Sequence, residues 1–471
     1  MSELKETKTL DEGGKSIVSL MAALLVAIFA FQLNASMLSP ALTTMEHELH
    51  TSAAQIALTQ TVFFTAAALF SLFLPRLADL VGRKKVLLGI LIATTVGCVI
   101  SALAPNVTVL MIGRILQGAA GPVVPMCLIM LHHRVTEEKR YTRLMAILTS
   151  VNGGIAGVDA ILGGWLAGTW GFRAVFWAMA IIAAIAIVLV YAFAEESTAS
   201  ETSAMDWLGV FFLVVAMGAL ITATNEMQKL ASANWIYAGV LIVVAIIGFV
   251  AFWQTEKRKK NPMVSTHYMK QRRTWGLLIT TLLTMTGVFA VMNGIIPAIA
   301  QDPKFGTGMG AGVVSFATLT PYALVGLAFG PVAGILASKF GYLNVLRAGL
   351  AVTLVGVAAS FFNAGHPTIW GLVCVSVLLG LSYAGTANIM LNGLGIVLSP
   401  SDNPGYLPGL NAGAFNLGAG LSYVALYAAQ NMFIESSGTT AGYQAALVTG
   451  LVLVVLAMAT SFLIPRPGTE E

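Results

Sequence analysis

Fourteen stretches of this chain are apolar for long enough to cross a lipid bilayer, and its Lys and Arg residues fall in alternate gaps between them. A helix rises about 1.5 Å per residue, so about 20 mostly apolar residues cross a hydrocarbon layer roughly 30 Å thick. The stretches run over 17–38, 52–74, 86–104, 107–131, 143–169, 173–194, 206–225, 234–254, 275–300, 311–338, 343–363, 367–398, 404–432 and 441–464. With 57% of residues hydrophobic and 10% charged, the chain reads as an all-α polytopic membrane protein. The longest polar gaps, 195–205 and 255–274, are too short to build a separate soluble core. Lys15 before the first stretch gives it the look of a signal peptide. The apolar run continues through Phe31 and Leu38, past a typical signal core, and reads as the first span.

Orientation follows from the basic residues, which stay on the cytoplasmic side. Of the 25 Lys and Arg, only Arg173, Lys229 and Lys304 fall in gaps that would face outward, and Arg114 lies within a span. Both termini are therefore expected in the cytoplasm, with a bacterial inner membrane as the setting. The net charge of +4 belongs to these loops and implies no nucleic-acid partner. Cys98, Cys127 and Cys374 all sit inside spans, where a small apolar role is usual and a disulfide or metal framework is not expected.

The chain also repeats itself. LADLVGRKKVLLG at 77–89 aligns with LASKFGYLNVLRA at 336–348 at an offset of 259 residues, longer than six helices and their loops require. Two extra helices then separate two six-helix bundles. The expected organisation is a tail 1–16, a bundle 17–194, two additional helices 206–254, a basic linker 255–274, a second bundle 275–464 and a tail 465–471. Paired bundles of this kind bind a substrate near the midplane between them and give alternating access by rocking.

RLADLVGRKK at 76–85 resembles the loop signature of the major facilitator superfamily, and LMIGRILQGAAG at 110–121 resembles its fourth-helix signature with an intramembrane Arg. LGGWLAGTWGFRAVF at 162–176 and NPGYLPGLNAGAFNLGAG at 403–420 further resemble the fourteen-helix drug:proton antiporters. Three positions depart from that pattern. Pro75 replaces the first Gly of the loop signature, Asp159-Ala160 replaces a Gly-Pro pair before Gly163, and Asn34 stands where many relatives carry Asp.

Two ionisable residues within spans are the candidates for proton coupling. A charged group at mid-span costs roughly 2.5–3.5 kcal/mol on insertion scales, so Asp159 and Arg114 need a cavity or partners. Asn152 lies two helical turns before Asp159 on the same face. The structural alternatives are a purely architectural carboxylate for Asp159 and a tether between helices for Arg114. Asp159 is one candidate partner for Arg114. The resemblance implies that Arg114 couples proton movement to helix rearrangement. It also implies that Asp79, with Arg83 and Lys84, latches the bundles on the cytoplasmic side. In the second copy, Ser338 and Tyr342 replace Asp79 and Arg83, which weakens any matching latch.

Neutral polar residues recur where a central cavity is expected: Asn34, Gln60, Asn152, Asn293, Asn388, Asn392, Asn416, Tyr423 and Tyr427. Such amides suit a substrate rich in hydrogen-bonding groups, and each could instead join two helices. Asn293-Gly294 before Pro297 predicts a locally broken helix. Gly153 with Gly157, and Gly164 with Gly168, are spaced for close helix packing. Gly14-Lys15-Ser16 lacks the Gly that opens a phosphate-binding loop, and His47-Glu48-Leu49-His50 is one residue short of the helical zinc-protease spacing. The sequence thus points to no enzyme, no metal and no cofactor.

The expected function is a proton-coupled secondary transporter, working as a monomer in membrane lipid on a small molecule. The first-choice reading is multidrug-type efflux by antiport. Asn34 and the missing Gly-Pro favour the second, a proton-coupled importer or facilitator of a polar neutral or anionic metabolite.

Overall fold

The computed structural model describes residues 16–135, 137–196, 205–227, 233–259, 262, 264–400 and 406–467. Twelve helices among them are long and apolar enough to cross a membrane: α1 (Ile17–Glu48), α2 (Ala53–Val81), α3 (Arg83–Ala102), α4 (Val107–Arg134), α6 (Phe172–Phe193), α7 (Trp207–Met227), α8 (Trp235–Arg258), α9 (Arg272–Gln301), α10 (Ala311–Phe340), α11 (Tyr342–Gly365), α12 (Ile369–Val397) and α14 (Thr439–Ser461). Two more long helices lie between them in sequence, α5 (Glu138–Trp170) and α13 (Tyr406–Ser437). The fourteen apolar stretches fall on these fourteen long helices, and among the described residues twelve of them meet the length and composition of a span.

Several helices start where the sequence supplies a side-chain acceptor for an otherwise unpaired N–H. Ser52 accepts from Gln55 N, Asn106 from Val109 N and Thr368 from Gly371 N. The repeated motif fixes two sharp joints in the same way. Gly82 (φ 117°) links α2 to α3, and its counterpart Gly341 (φ 85°) links α10 to α11; only glycine takes this backbone without strain.

The helices pack in two groups, α1 to α6 and α9 to α14. They meet along two seams, α2 against α13 and α5 against α10. The centre is α2, with 83% of its spanning window buried; α8, with 22%, is peripheral. Helices α7 and α8 form a hairpin that lies outside both groups and touches α2. The start of α9 and the end of α14 share one face of the bundle, here called the termini face, where Arg272 Nε donates to Leu463 O.

Five of the long helices are interrupted, α10 among them at Thr318. In α1 and α4 the breaks are tight turns at Ser39–Ala41 and Gly118–Ala120. In α9 and α12 they are π-helical stretches at Val291–Ile295 and Gly380–Ala387. The first π turn contains Asn293-Gly294, as the broken helix before Pro297 leads one to expect; the second has no comparable signal in the sequence.

Candidate functional site

Small residues decide which polar groups meet. On α4, a Cβ at Gly121 would lie 2.2 Å from Ala67 O of α2, and one at Gly118 would lie 2.4 Å from Ala66 Cβ. That close approach carries Arg114 into the wall of α2. The Arg114 side chain is fully buried. Nη2 donates to Gln60 Oε1 at 2.9 Å, Nη1 to Gln117 Oε1 at 2.6 Å, and both reach Asn34 O at 3.3 Å. The guanidinium also lies 4.1 Å from the centroid of Phe63. Gln117 in turn donates to Ser101 Oγ at 2.8 Å. Arg114 is thus held by neutral acceptors and an aromatic face, with Nε left without a hydrogen bond.

Asp159 is not among those acceptors, which corrects the pairing entertained from sequence. On α5, a Cβ at Gly163 would lie 2.1 Å from Met37 O, so α5 presses on the end of the first turn-bounded segment of α1. Asp159 lies one turn before Gly163 and receives the hydroxyl of Ser36 on Oδ2. Its Oδ1 is buried without a partner. Asn34 and Ser36 therefore place one short piece of α1 between the buried cation and the buried acid. Asn34 spends its own amide locally, donating to Ala30 O and accepting from Cys98 Sγ.

A second cluster crosses between the groups. Ser39 Oγ of α1 donates to Asn293 Oδ1 at 3.2 Å, and Tyr423 Oη of α13 donates to Asn293 O at 3.3 Å. The π turn is what leaves that carbonyl open to Tyr423. Gly294 lies under Tyr427, whose hydroxyl would be 2.8 Å from a Cβ there. Phe64 of α2 meets Phe289 edge-on at 5.0 Å between centroids, and Tyr423 lies within 6.5 Å of both rings. Phe63 and Phe64, side by side, connect this aromatic group to Arg114. Gln60, whose Oε1 accepts from Arg114, keeps its amide nitrogen buried and without a hydrogen bond.

Among the described residues, further polar ties cross both seams. Ser315 Oγ donates to Ala160 O and Thr320 Oγ1 to Gly157 O, joining α10 to α5. Thr61 Oγ1 donates to Gly420 O, joining α2 to α13. Gly164 and Gly168 pack on Ala311 and Gly312. Gly157 packs on Ala323, so the small-residue spacing serves the α5/α10 seam.

The other residues singled out from sequence sit apart. Asn392 is exposed toward the termini face and donates to Asn388 O and Oδ1 on its own helix. Asn416 is half-buried on α13. The side chain of Asn152 lies outside the described residues. Of the residues expected to form a latch, Asp79 accepts from Arg83 Nε and Nη2, at 3.1 and 2.8 Å, across the joint between α2 and α3. Lys84 Nζ donates to Tyr191 O at 2.9 Å.

Sequence reasoning missed Ser36 and Gln117 as partners of the buried charges. Gln117 was open to inference, since it follows Arg114 by three residues on one helix face. It also missed Glu196, which accepts from Lys84 N and Lys85 N at the start of α3, and the matching role of Glu48, which accepts from Phe172 N at the start of α6. Each carboxylate lies over a glycine, Gly82 or Gly171, and offers its charge to a helix N-terminus.

The Major Facilitator Superfamily model matches residues 24–206 and 200–423. The chain belongs to this superfamily and is a membrane transporter. It is 64% identical over 455 residues to the uridine/deoxyuridine transporter of Lactococcus lactis subsp. cremoris (strain MG1363), covering 96% of this chain and 95% of that one. It is 25% identical to the multidrug resistance protein Stp of Mycobacterium tuberculosis (strain CDC 1551 / Oshkosh) over 76% of this chain and 66% of that one. Its fold matches the crystal structure of the nucleoside transporter NupG with a TM-score of 0.65 at 14% identity, over 95% of this chain and all of that one. These comparisons overturn the first-choice reading of multidrug-type efflux by antiport. The similarity that suggested it survives only at 25% identity, whereas the relative named for a nucleoside matches at 64% along nearly the whole chain.

Proposed function

We propose that this protein imports uridine-type nucleosides, coupled to protons, by alternating access across a bacterial inner membrane, with the termini face in the cytoplasm. The observation that carries this reading is the 64% identity, over 96% of the chain, with a uridine/deoxyuridine transporter. The chemistry between the helix groups agrees with it. A nucleoside is neutral, presents carbonyls, an N–H and hydroxyls, and carries a planar ring. Gln60, Asn293 and Tyr423 offer neutral hydrogen-bonding groups beside the rings of Phe64 and Phe289. Asn34, Asn152, Asn388, Asn392 and Asn416 are the further candidates along the path.

In this reading Asp159 carries the proton and Arg114 senses it through α1, because Ser36 and Asn34 O bind the two groups from one turn of helix. The proposed bundles are 17–194 and 275–464, with α7 and α8 as the additional pair. Helices α5 and α13 also span, giving fourteen: both exceed 30 residues and both build a seam between the groups. The protein is read as working as a monomer, with Asp79, Arg83 and Lys84 as its cytoplasmic latch.

The test is uptake of radiolabelled uridine by cells lacking their own nucleoside uptake. Uptake above the vector control, competed by deoxyuridine and abolished by a protonophore, is expected. A correctly inserted protein that gives no uridine uptake would overturn the reading.

A further inference from the structure

A cavity of about 270 Å³ lies where the α7/α8 hairpin covers the α2/α13 seam. Its walls include Leu72 of α2, Leu213 and Met217 of α7, Phe249 of α8, Ile279 of α9 and Leu410 of α13, and none of its lining side chains is polar. Water gains nothing there, since it needs two to four polar partners. An apolar cavity of even ~150 Å³ takes a benzene-sized hydrocarbon. Helix α8 packs chiefly on α7, and the cavity is flanked by α8 and α9.

Those two flanking helices carry the second observation. Toward the termini face, α8 ends in Lys257-Arg258 and α9 begins with Arg272-Arg273, with Lys270 just before. Lys257, Arg258, Lys270 and Arg272 are all exposed. The lining residue Ile279 is only two turns into α9, and Phe249 lies nine residues before Arg258. At about 1.5 Å per residue, the basic ends stand on the order of 10–14 Å from the cavity. A hydrocarbon chain under a negatively charged head spans that geometry, and basic residues at a membrane surface attract anionic lipid.

We infer that an anionic phospholipid binds here, one acyl chain in the cavity and its headgroup against the basic ends of α8 and α9. The site gives the additional helices a role that their sequence does not disclose. The lipid chain fills the contact between the hairpin and the seam along which the two helix groups meet. The inference is independent of the substrate assigned above.

The experiment is native mass spectrometry of purified, delipidated protein titrated with phosphatidylglycerol or phosphatidylcholine. One phosphatidylglycerol should be retained at a concentration at least fivefold lower than phosphatidylcholine. Leu213→Trp, which fills the cavity, and Lys257→Gln combined with Arg258→Gln, which removes charge only, should each reduce that retention several-fold. Equal retention of the two lipids overturns the inference, as does wild-type retention in both folded variants. A second copy of the chain on this face in place of lipid, read as a dimer mass lost in Leu213→Trp, overturns it too. Should Leu213→Trp fail to elute as a single species, the charge variant decides alone.

Discussion

Ser36 on α1 donates its hydroxyl to Asp159 on α5, across 123 positions of sequence, and leaves the other carboxylate oxygen buried and unpaired. The two side chains meet because Gly163 lets α5 touch the backbone of Met37. One hydroxyl is a thin provision for a buried acid, and a proton on Oδ1 would complete it.

Asp159→Asn keeps the shape and the acceptor for Ser36 while removing the exchangeable proton. Uridine uptake driven by an acid-outside pH gradient should fall at least tenfold in proteoliposomes. Exchange of internal for external uridine without a gradient should persist. Retained gradient-driven uptake in this variant would assign coupling elsewhere.

Arg114 reaches Gln60, Gln117 and Asn34 O at once because a guanidinium is a planar fork. Lysine keeps the charge with a single donor point. Arg114→Lys should therefore lower uptake at least tenfold with the protein still inserted, and its effect should not be repaired by raising substrate concentration. The measurement is kcat and KM for uridine at matched surface expression.

Gly121→Ala puts a methyl group 2.2 Å from Ala67 O, with backbone on both sides. Overpacking of this kind costs roughly 1–3 kcal/mol. Its Tm in detergent should drop by several degrees. Gly218→Ala on α7, where no atom lies within 4 Å, should leave Tm unchanged.

Asn293 and Tyr423 are tied by one hydrogen bond, so the two ends of that bond can be separated. Tyr423→Phe keeps the ring and should raise KM for uridine only a few-fold. Tyr423→Leu removes the ring and should raise it far more. Equal effects of the two variants would show that the hydroxyl, and not the ring face, matters.

The helices and the repeat were legible because both rest on local rules. Apolar length gives a helix its place, and Gly82 and Gly341 recur at the offset of 259 residues with the same positive φ. Arg114, Asp159, Asn293 and Tyr423 stood out because polar groups inside apolar stretches are rare. Their partners did not stand out. Ser36 and Gln117 are ordinary in composition; the close approach at Gly163 brings Ser36 to Asp159, while Gln117 needs only its place one turn beyond Arg114. Glu48 ends α1 and Glu196 lies just beyond α6, where a carboxylate attracts no notice until a distant helix start is folded against it. Substrate class was misread for a related reason. The antiporter-like motifs belong to the shared frame of the superfamily, while the groups proposed to face a substrate are scattered singly over α2, α9 and α13.

The π turn at Val291–Ile295 holds one residue more than an α-helical turn would. Each added residue turns a helix by about 100°, so Ile296–Gln301 present a face that does not continue the line of Thr284 and Val288. A relative that lacks the turn must be aligned with a one-residue gap at Asn293. Without that gap, every position from Pro297 onward would be compared with a residue on the wrong side of its helix.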